Sequence, residues 1–168
     1  KAFGRNMKLL MLSDQTARRA LALCPVKSDA YLILLHTNFL TDVDDKNRES
    51  LIQQALLAGG HDPYVRYFVG DCMLTEGKAE AALEQWQYVF HSNSEFRIEV
   101  CRNLSRKLPA EFVVTTFKPS DDELDEVLTA YLETGRKEEV EKLLFVITEA
   151  AQKVIDSLPD AQDKPNSD

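Results

Sequence analysis

The stretch PYVRYFVGDCMLTEGKAEAALEQWQYVF, residues 63–90, decides how the rest of the chain is read. Val69 and Met73 stand four residues apart and mark one apolar stripe; Ala82, Trp86 and Val89 mark a second one after Gly77. Apolar residues at these spacings share one face of a helix, so the stretch predicts two helices separated by Glu76-Gly77. Gly77 has the position of a helix C′ residue in the left-handed conformation, which glycine enters without a Cβ penalty. Gly70 and Ala82 are small enough to let two antiparallel helices approach closely, with Trp86 filling the gap between them.

Val69-Gly70, Leu74, Gly77, Ala82, Trp86 and Val89 together resemble a tetratricopeptide repeat, a helix–turn–helix unit of about 34 residues. Ser94 departs from that pattern, since the family often has proline there. A second copy carries Leu124, Val127, Leu128, Tyr131, Leu132, Gly135, Val140, Leu144 and Ile147. Setting Gly135 against Gly77 puts Tyr131 opposite Met73, Val140 opposite Ala82 and Leu144 opposite Trp86. Leu128 falls where the first copy has Gly70, and should hold its two helices farther apart. A weaker copy covers residues 28–62, with Tyr31, Leu34 and Leu35 in its first helix and Leu51, Ala55 and Ala58 in its second. Its turn is a longer polar loop, Thr41-Asp42-Val43-Asp44-Asp45-Lys46-Asn47.

Residues 1–27 read as a partial unit, with a first helix over 3–12 and a second carrying Ala17 and Ala20 before Pro25. Residues 97–120 are irregular: one helix to Leu108, then a short or broken segment through Pro109-Ala110-Glu111-Phe112-Val113-Val114. Residues 121–158 form the last unit, opened after Pro119 by the capping box Ser120-Asp121-Asp122-Glu123. Ser92-Asn93-Ser94-Glu95 marks the start of the helix near Phe96 in the same way. The long last helix, over 137–158, caps the array, and its Val154, Ile155 and Leu158 pack on the previous hairpin or on another chain. Residues 159–168 are polar, with Pro159 and Pro165, and read as a disordered tail. The resemblance implies an all-α fold: a right-handed superhelical stack of antiparallel helix hairpins, an α-solenoid of tetratricopeptide type.

Composition agrees with helices. Hydrophobic residues make up 44% of the 168 and charged residues 29%, an ordinary globular balance. The six glycines and six prolines sit at boundaries, too few for the turns of a sheet. A net charge of −8 and a pI near 4.9 repel phosphate backbones. The densest basic run, Arg97, Arg102, Arg106 and Lys107, is interleaved with Glu95 and Glu99 as on a solvated helix face, so nucleic acid is not an expected partner. No apolar run approaches the roughly 18 residues of a membrane span. The apolar patch from Met7 to Leu12 is too short for a signal peptide and lacks its cleavage site. Lys1 in place of Met reads as a piece of a longer polypeptide. Cys24, Cys72 and Cys101 are odd in number and far apart, with no C-x-x-C pair. They fit neither a disulfide framework nor a zinc ribbon, and are compatible with a reducing compartment such as the cytoplasm.

Residues that could carry chemistry are scattered. His36, His61 and His91 lie on separate elements, and no H-x-x-x-H or Cys–His spacing converges on a metal. Asp42, Asp44 and Asp45 begin like a calcium loop, but Asn47 stands where glycine is needed and Gln53 where the bidentate glutamate belongs. No G-x-S-x-G, phosphate loop or Cys–His signature occurs. Cys72 and Cys101 fall among apolar helix neighbours and read as buried fillers. Glu138 and Glu139, like Asp121 and Asp122, are adjacent, do not face each other, and suit helix N-termini. The expectation is a chain that is not an enzyme, with no catalytic, cofactor-binding or metal-binding residues.

The resemblance implies instead a groove lined by the first helices of successive units, open to a peptide or helix. In that register the lining residues are Asp29, Leu32, His36 and Phe39, then Tyr64, Tyr67, Asp71 and Leu74; Asp125, Thr129 and Leu132 follow in the last unit. Tyr64 and Tyr67 share a helix face and combine large area with a polar tip. Tyrosines of this kind are enriched at interaction hot spots, though Tyr67 can equally serve as packing. One subgroup of the family clamps a chaperone C-terminal carboxylate with Lys and Asn. Leu32, His36, Tyr67 and Asp71 stand at those places and supply no such clamp. The sequence therefore predicts a module that binds a protein or peptide partner. The alternative is a structural module that assembles homo-oligomers or positions a fused domain.

Overall fold

A computed structural model describes residues 2–40, 45–92 and 95–157. Among the described residues the chain is all α, with nine helices and no strand. It divides into two compact units, Lys1–Val100 and Cys101–Asp168. No helix among the described residues is long and apolar enough to cross a membrane.

The first unit holds α1 (Ala2–Leu23), α2 (Ser28–Thr37) with a 3-10 turn (Asn38–Leu40), α3 (Asp45–Gly59), α4 (Pro63–Thr75), α5 (Ala79–His91) and the start of α6 (Phe96–Ser105). Each helix from α1 to α4 packs on the next, α2 also touches α4, and α4 packs most extensively on α5. Tyr31, Leu35, Ile52, Val65, Val69 and Ala82 are core residues of this unit. The second-helix stripe of residues 28–62 centres on Ile52 and Ala55, while Leu51 and Ala58 are half-buried.

α1 corrects the expected break between residues 12 and 17: it is a single helix of 22 residues. The polar run Ser13-Asp14-Gln15-Thr16 contains no glycine or proline, and its two hydroxyls bond back into the helix. Ser13 Oγ donates to Leu9 O at 3.0 Å and Thr16 Oγ1 to Leu12 O at 2.8 Å. Arg18 Nε donates to Asp14 at 2.8 Å, and Thr37 Oγ1 donates to the same carboxylate at 3.3 Å, fastening α1 to α2.

The α4–α5 hairpin follows the sequence closely. Gly77 has φ 77°, with Gly77 N–H on Leu74 O and Lys78 N–H on Met73 O, both at 3.0 Å. That pair of bonds is a Schellman ending and satisfies carbonyls the helix would leave open. Asp62 caps the start, its carboxylate accepting from Tyr64 N–H at 2.9 Å, and Pro63 occupies the first turn, where its missing N–H costs nothing. A Cβ placed on Gly70 would lie 2.5 Å from Trp86 Nε1. The indole is thus pressed against the α4 backbone and donates to Tyr67 O at 3.2 Å.

The second unit continues α6 and holds α7 (Ala110–Phe117), α8 (Asp121–Glu133) and α9 (Lys137–Ser157); α8 and α7 both pack on α9. The segment expected to be short or broken is the short helix α7, eight residues long. Pro109 leaves its start without a side-chain cap, and Glu139 of α9 supplies one: Oε2 accepts from Ala110 N–H at 2.6 Å. Glu139 stands in the first turn of α9, where the sequence places it, and its carboxylate caps α7 as well. Val113 and Phe117 are buried, and α7 stops at Lys118, a left-handed residue with φ 47°. The capping box of Ser120 and Glu123 is present, and Gly135 is left-handed with φ 70°.

Among the described side chains of α9, Leu143 and Glu139 are buried, 1% and 7% exposed, while Leu144 is 47% exposed and Val140 half-buried. The inward stripe runs through Glu139 and Leu143, so Leu144 does not repeat the packing of Trp86. α8 and α9 make a less extensive pair than α4 and α5. The 106–109 turn is tied to α8: Tyr131 donates its hydroxyl to Leu108 O at 2.9 Å, and Arg136 Nη1 reaches Ser105 O at 2.9 Å and Leu108 O at 2.6 Å. Most of the 41–47 loop, the Asn93-Ser94 part of the second capping box, the side chain of Val154, Leu158 and the 159–168 tail lie outside the described residues.

Candidate functional site

The first unit brings aromatic rings from α2, α4, α5 and α6 into one cluster. Phe68 is its hub: the rings of Tyr64, His36 and Tyr67 meet it edge-on at 4.7, 5.3 and 5.4 Å. Phe96 of α6 approaches Tyr64 at 5.4 Å and Tyr67 at 5.5 Å, and Tyr67 stacks on Trp86 at 6.5 Å. Edge-on and offset arrangements are favoured because a ring's positive rim meets its neighbour's negative face. Sequence reasoning missed Phe68 and Phe96. The signal for Phe68 was present, since Tyr64, Phe68 and Asp71 follow each other at i, i+4 and i+7 on α4.

The expected groove residues separate into three groups. Tyr64, 36% exposed, and the exposed His36 and Asp71 present surface; His36 Nδ1 lies 2.9 Å from Leu32 O. Asp29 is half-buried and paired with Lys27 at 2.7 Å. Tyr67 and Leu74 are half-buried, Tyr67 within the ring cluster and Leu74 against the core. Leu32, 3% exposed, belongs to the core and offers a partner nothing. The side chain of Phe39 lies outside the described residues. Asp125, Thr129 and Leu132 are exposed on α8, in the second unit.

At the far end of α4 from Tyr64 lies an ion network. Arg48 of α3 bonds Glu76 at the end of α4, and Lys78 reaches the same carboxylate at 3.0 Å. Burial raises the Glu76 pKa, but the hydrogen bonds from Arg48 and Lys78 outweigh it and hold the carboxyl below its ordinary range. The Cys72 thiol is pushed up, chiefly by burial, so it stays a protonated core filler, and Cys101 is buried too. Among the described residues no three His, Cys, Asp or Glu side chains converge on a metal-sized site.

Comparison of the chain with protein-family models, with curated proteins and with solved structures finds no match in any of the three. The geometry alone therefore carries the functional argument. It offers a partly exposed patch of edge-on and tilted rings with Asp71 on the same face of α4, suited to contact by stacking and hydrogen bonding at the tyrosine tips.

Proposed function

We propose that the chain is a non-enzymatic, tetratricopeptide-like module that binds a protein or peptide segment on the ring cluster of its first unit. The observation that carries this reading is Tyr64: a ring held by Phe68 and Phe96, yet 36% exposed. A pre-ordered aromatic loses little side-chain freedom on contact, which is why such residues dominate interfaces. Asp71 and His36 beside it favour an apolar or weakly basic segment. The repeat reading draws support from two left-handed glycines, Gly77 and Gly135, that each end the first helix of a hairpin.

The test is affinity capture from a lysate of the source cells with the wild-type chain beside Tyr64→Ala. Tyr64→Ala leaves the Tyr67–Trp86 stack intact, so helicity should stay unchanged while a retained protein is lost. Equal retention by both would remove the ring cluster as the binding surface.

A second reading, self-association, is favoured by Ile155, 59% exposed near the end of α9. Light scattering tests it, and a strict monomer at high concentration counts against it.

A further inference from the structure

In the second unit, α7 and α9 leave an open cleft of about 690 Å³. Its floor is apolar, formed by Ala110, Val114, Leu143 and Val146, and the ring of Phe145 stands 64% exposed at its side. Glu111, Glu138 and Glu141 rim it, all exposed and without an ion pair among the described residues. Lys142, the one cation among the described lining residues, is held by Glu139 at 2.9 Å. An apolar floor whose rim sets three carboxylates against one lysine, shared among Glu139, Glu138 and Glu111, asks for an apolar ridge flanked by cations.

α1 of the first unit is such a ridge. It contains four basic residues and one acidic residue. Lys8, Leu12 and Arg19 fall on one face, with Leu9 beside them. Leu9 and Leu12 are more than half exposed, and Lys8 and Arg19 are exposed without an ion pair among the described residues.

The geometry points to head-to-tail self-association, in which α1 of one copy lies in the α7–α9 cleft of the next. The inference deepens the second reading above and is independent of the ring cluster. Pairing a cleft with a second cleft would set like carboxylates against each other. The 159–168 tail carries Asp160, Asp163 and Asp168 against Lys164, the sign of the rim itself. α1 has the opposite charge. The surfaces joined are different, so the contact is heterologous and each copy keeps one free half of it.

That asymmetry supplies the test. The mass of the full chain is measured by sedimentation up to about 0.5 mM, where weak contacts of this size are populated. Mass should rise with concentration. Leu12→Asp and Phe145→Ser, both at exposed positions, should each weaken association by about tenfold or more. Mixed in equal amounts they should form a one-to-one complex, because the first keeps an intact cleft and the second an intact α1. Charge reversals (Lys8→Glu with Arg19→Glu, and Glu138→Lys with Glu141→Lys) should likewise fail alone and associate when mixed. Circular dichroism checks that each variant remains helical. A wild-type chain that stays monomeric throughout overturns the inference and leaves the ring cluster to be judged by its own capture experiment. Association that mixing fails to restore, or a cleft that takes only a foreign basic helix, overturns it as well.

Discussion

Gly70→Ala puts the close approach of α4 and α5 to the sharpest trial, because two effects of opposite sign compete at one atom. Alanine improves helix propensity by about 1 kcal/mol over glycine. Against that, the new Cβ would stand 2.5 Å from Trp86 Nε1, 2.6 Å from Trp86 Cδ1 and 3.3 Å from Ala82 O. Trp86 is 2% exposed and cannot swing away, so the helices must part. Overpacking of this kind costs about 1–3 kcal/mol. Displacing the indole from Tyr67 O forfeits a further 1 kcal/mol or so. The balance is a loss of about 2 kcal/mol, or roughly 8–16 °C in the melting temperature of a unit this size. Trp86 is the chain's single tryptophan, so urea unfolding followed by its fluorescence reads this unit selectively. Gly77→Ala is the control: its Cβ meets nothing within 4 Å, and with φ at 77° it costs about 1–2 kcal/mol through the backbone alone, leaving native indole emission unchanged. A Gly70→Ala chain as stable as wild type, or more so, would mean that helix propensity acts unopposed and that Trp86 does not rest on Gly70.

Other perturbations read other contacts. Glu139→Gln should destabilise the second unit by about 1–2 kcal/mol, because the charged acceptor over Ala110 N–H is lost. The hydrogen bond from Ala110 N–H and then that from Lys142 hold the Glu139 carboxyl below its ordinary pKa. Its stabilisation is therefore full above the unfolded carboxyl value and lost as pH falls through the folded one; acid titration of wild type and Glu139→Gln by circular dichroism should converge. Tyr131 behaves in the opposite sense: burial pushes its hydroxyl up against a smaller lowering effect of Arg136, so its contribution holds below the unfolded tyrosine value and fades as pH climbs beyond it. Tyr131→Phe should cost about 1 kcal/mol at neutral pH and flatten that alkaline loss in thermal melts. Lys118→Gly should stabilise the chain by about 0.5–1 kcal/mol in chemical denaturation, by relieving a left-handed lysine.

What was legible in the sequence is what local chemistry dictates. Gly77 and Gly135 end helices because only glycine turns left-handed without cost, and Ser120 with Glu123 opens α8 through bonds made within four residues. Contacts between elements were harder to read. Pro109-Ala110-Glu111 carries a proline and a first-turn acid but no side-chain cap of its own, since the cap comes from Glu139, 29 residues ahead. α1 runs unbroken through Ser13-Asp14-Gln15-Thr16 because the two hydroxyls of that polar run bond back to carbonyls one turn earlier. The register of α9 shifted by one residue for a related reason. α9 receives α7 as well as α8, and that double packing turns Leu143 inward at the expense of Leu144.

The same distinction explains why Tyr64 and Tyr67, alike in the sequence, must be treated differently as probes. Tyr67 stacks on Trp86, its carbonyl accepts the indole N–H, and Phe68 and Phe96 close on its ring. Removing that ring opens a hole beside the tightest helix contact of the unit, so a loss of binding in Tyr67→Ala would confound fold with function. Tyr64 leans on Phe68 and Phe96 from outside and keeps a third of its surface in solvent. A loss seen in Tyr64→Ala with the Trp86 emission unchanged belongs to the surface. If only Tyr67→Ala loses binding, and its Trp86 emission shifts, the ring cluster is core and the binding surface lies elsewhere.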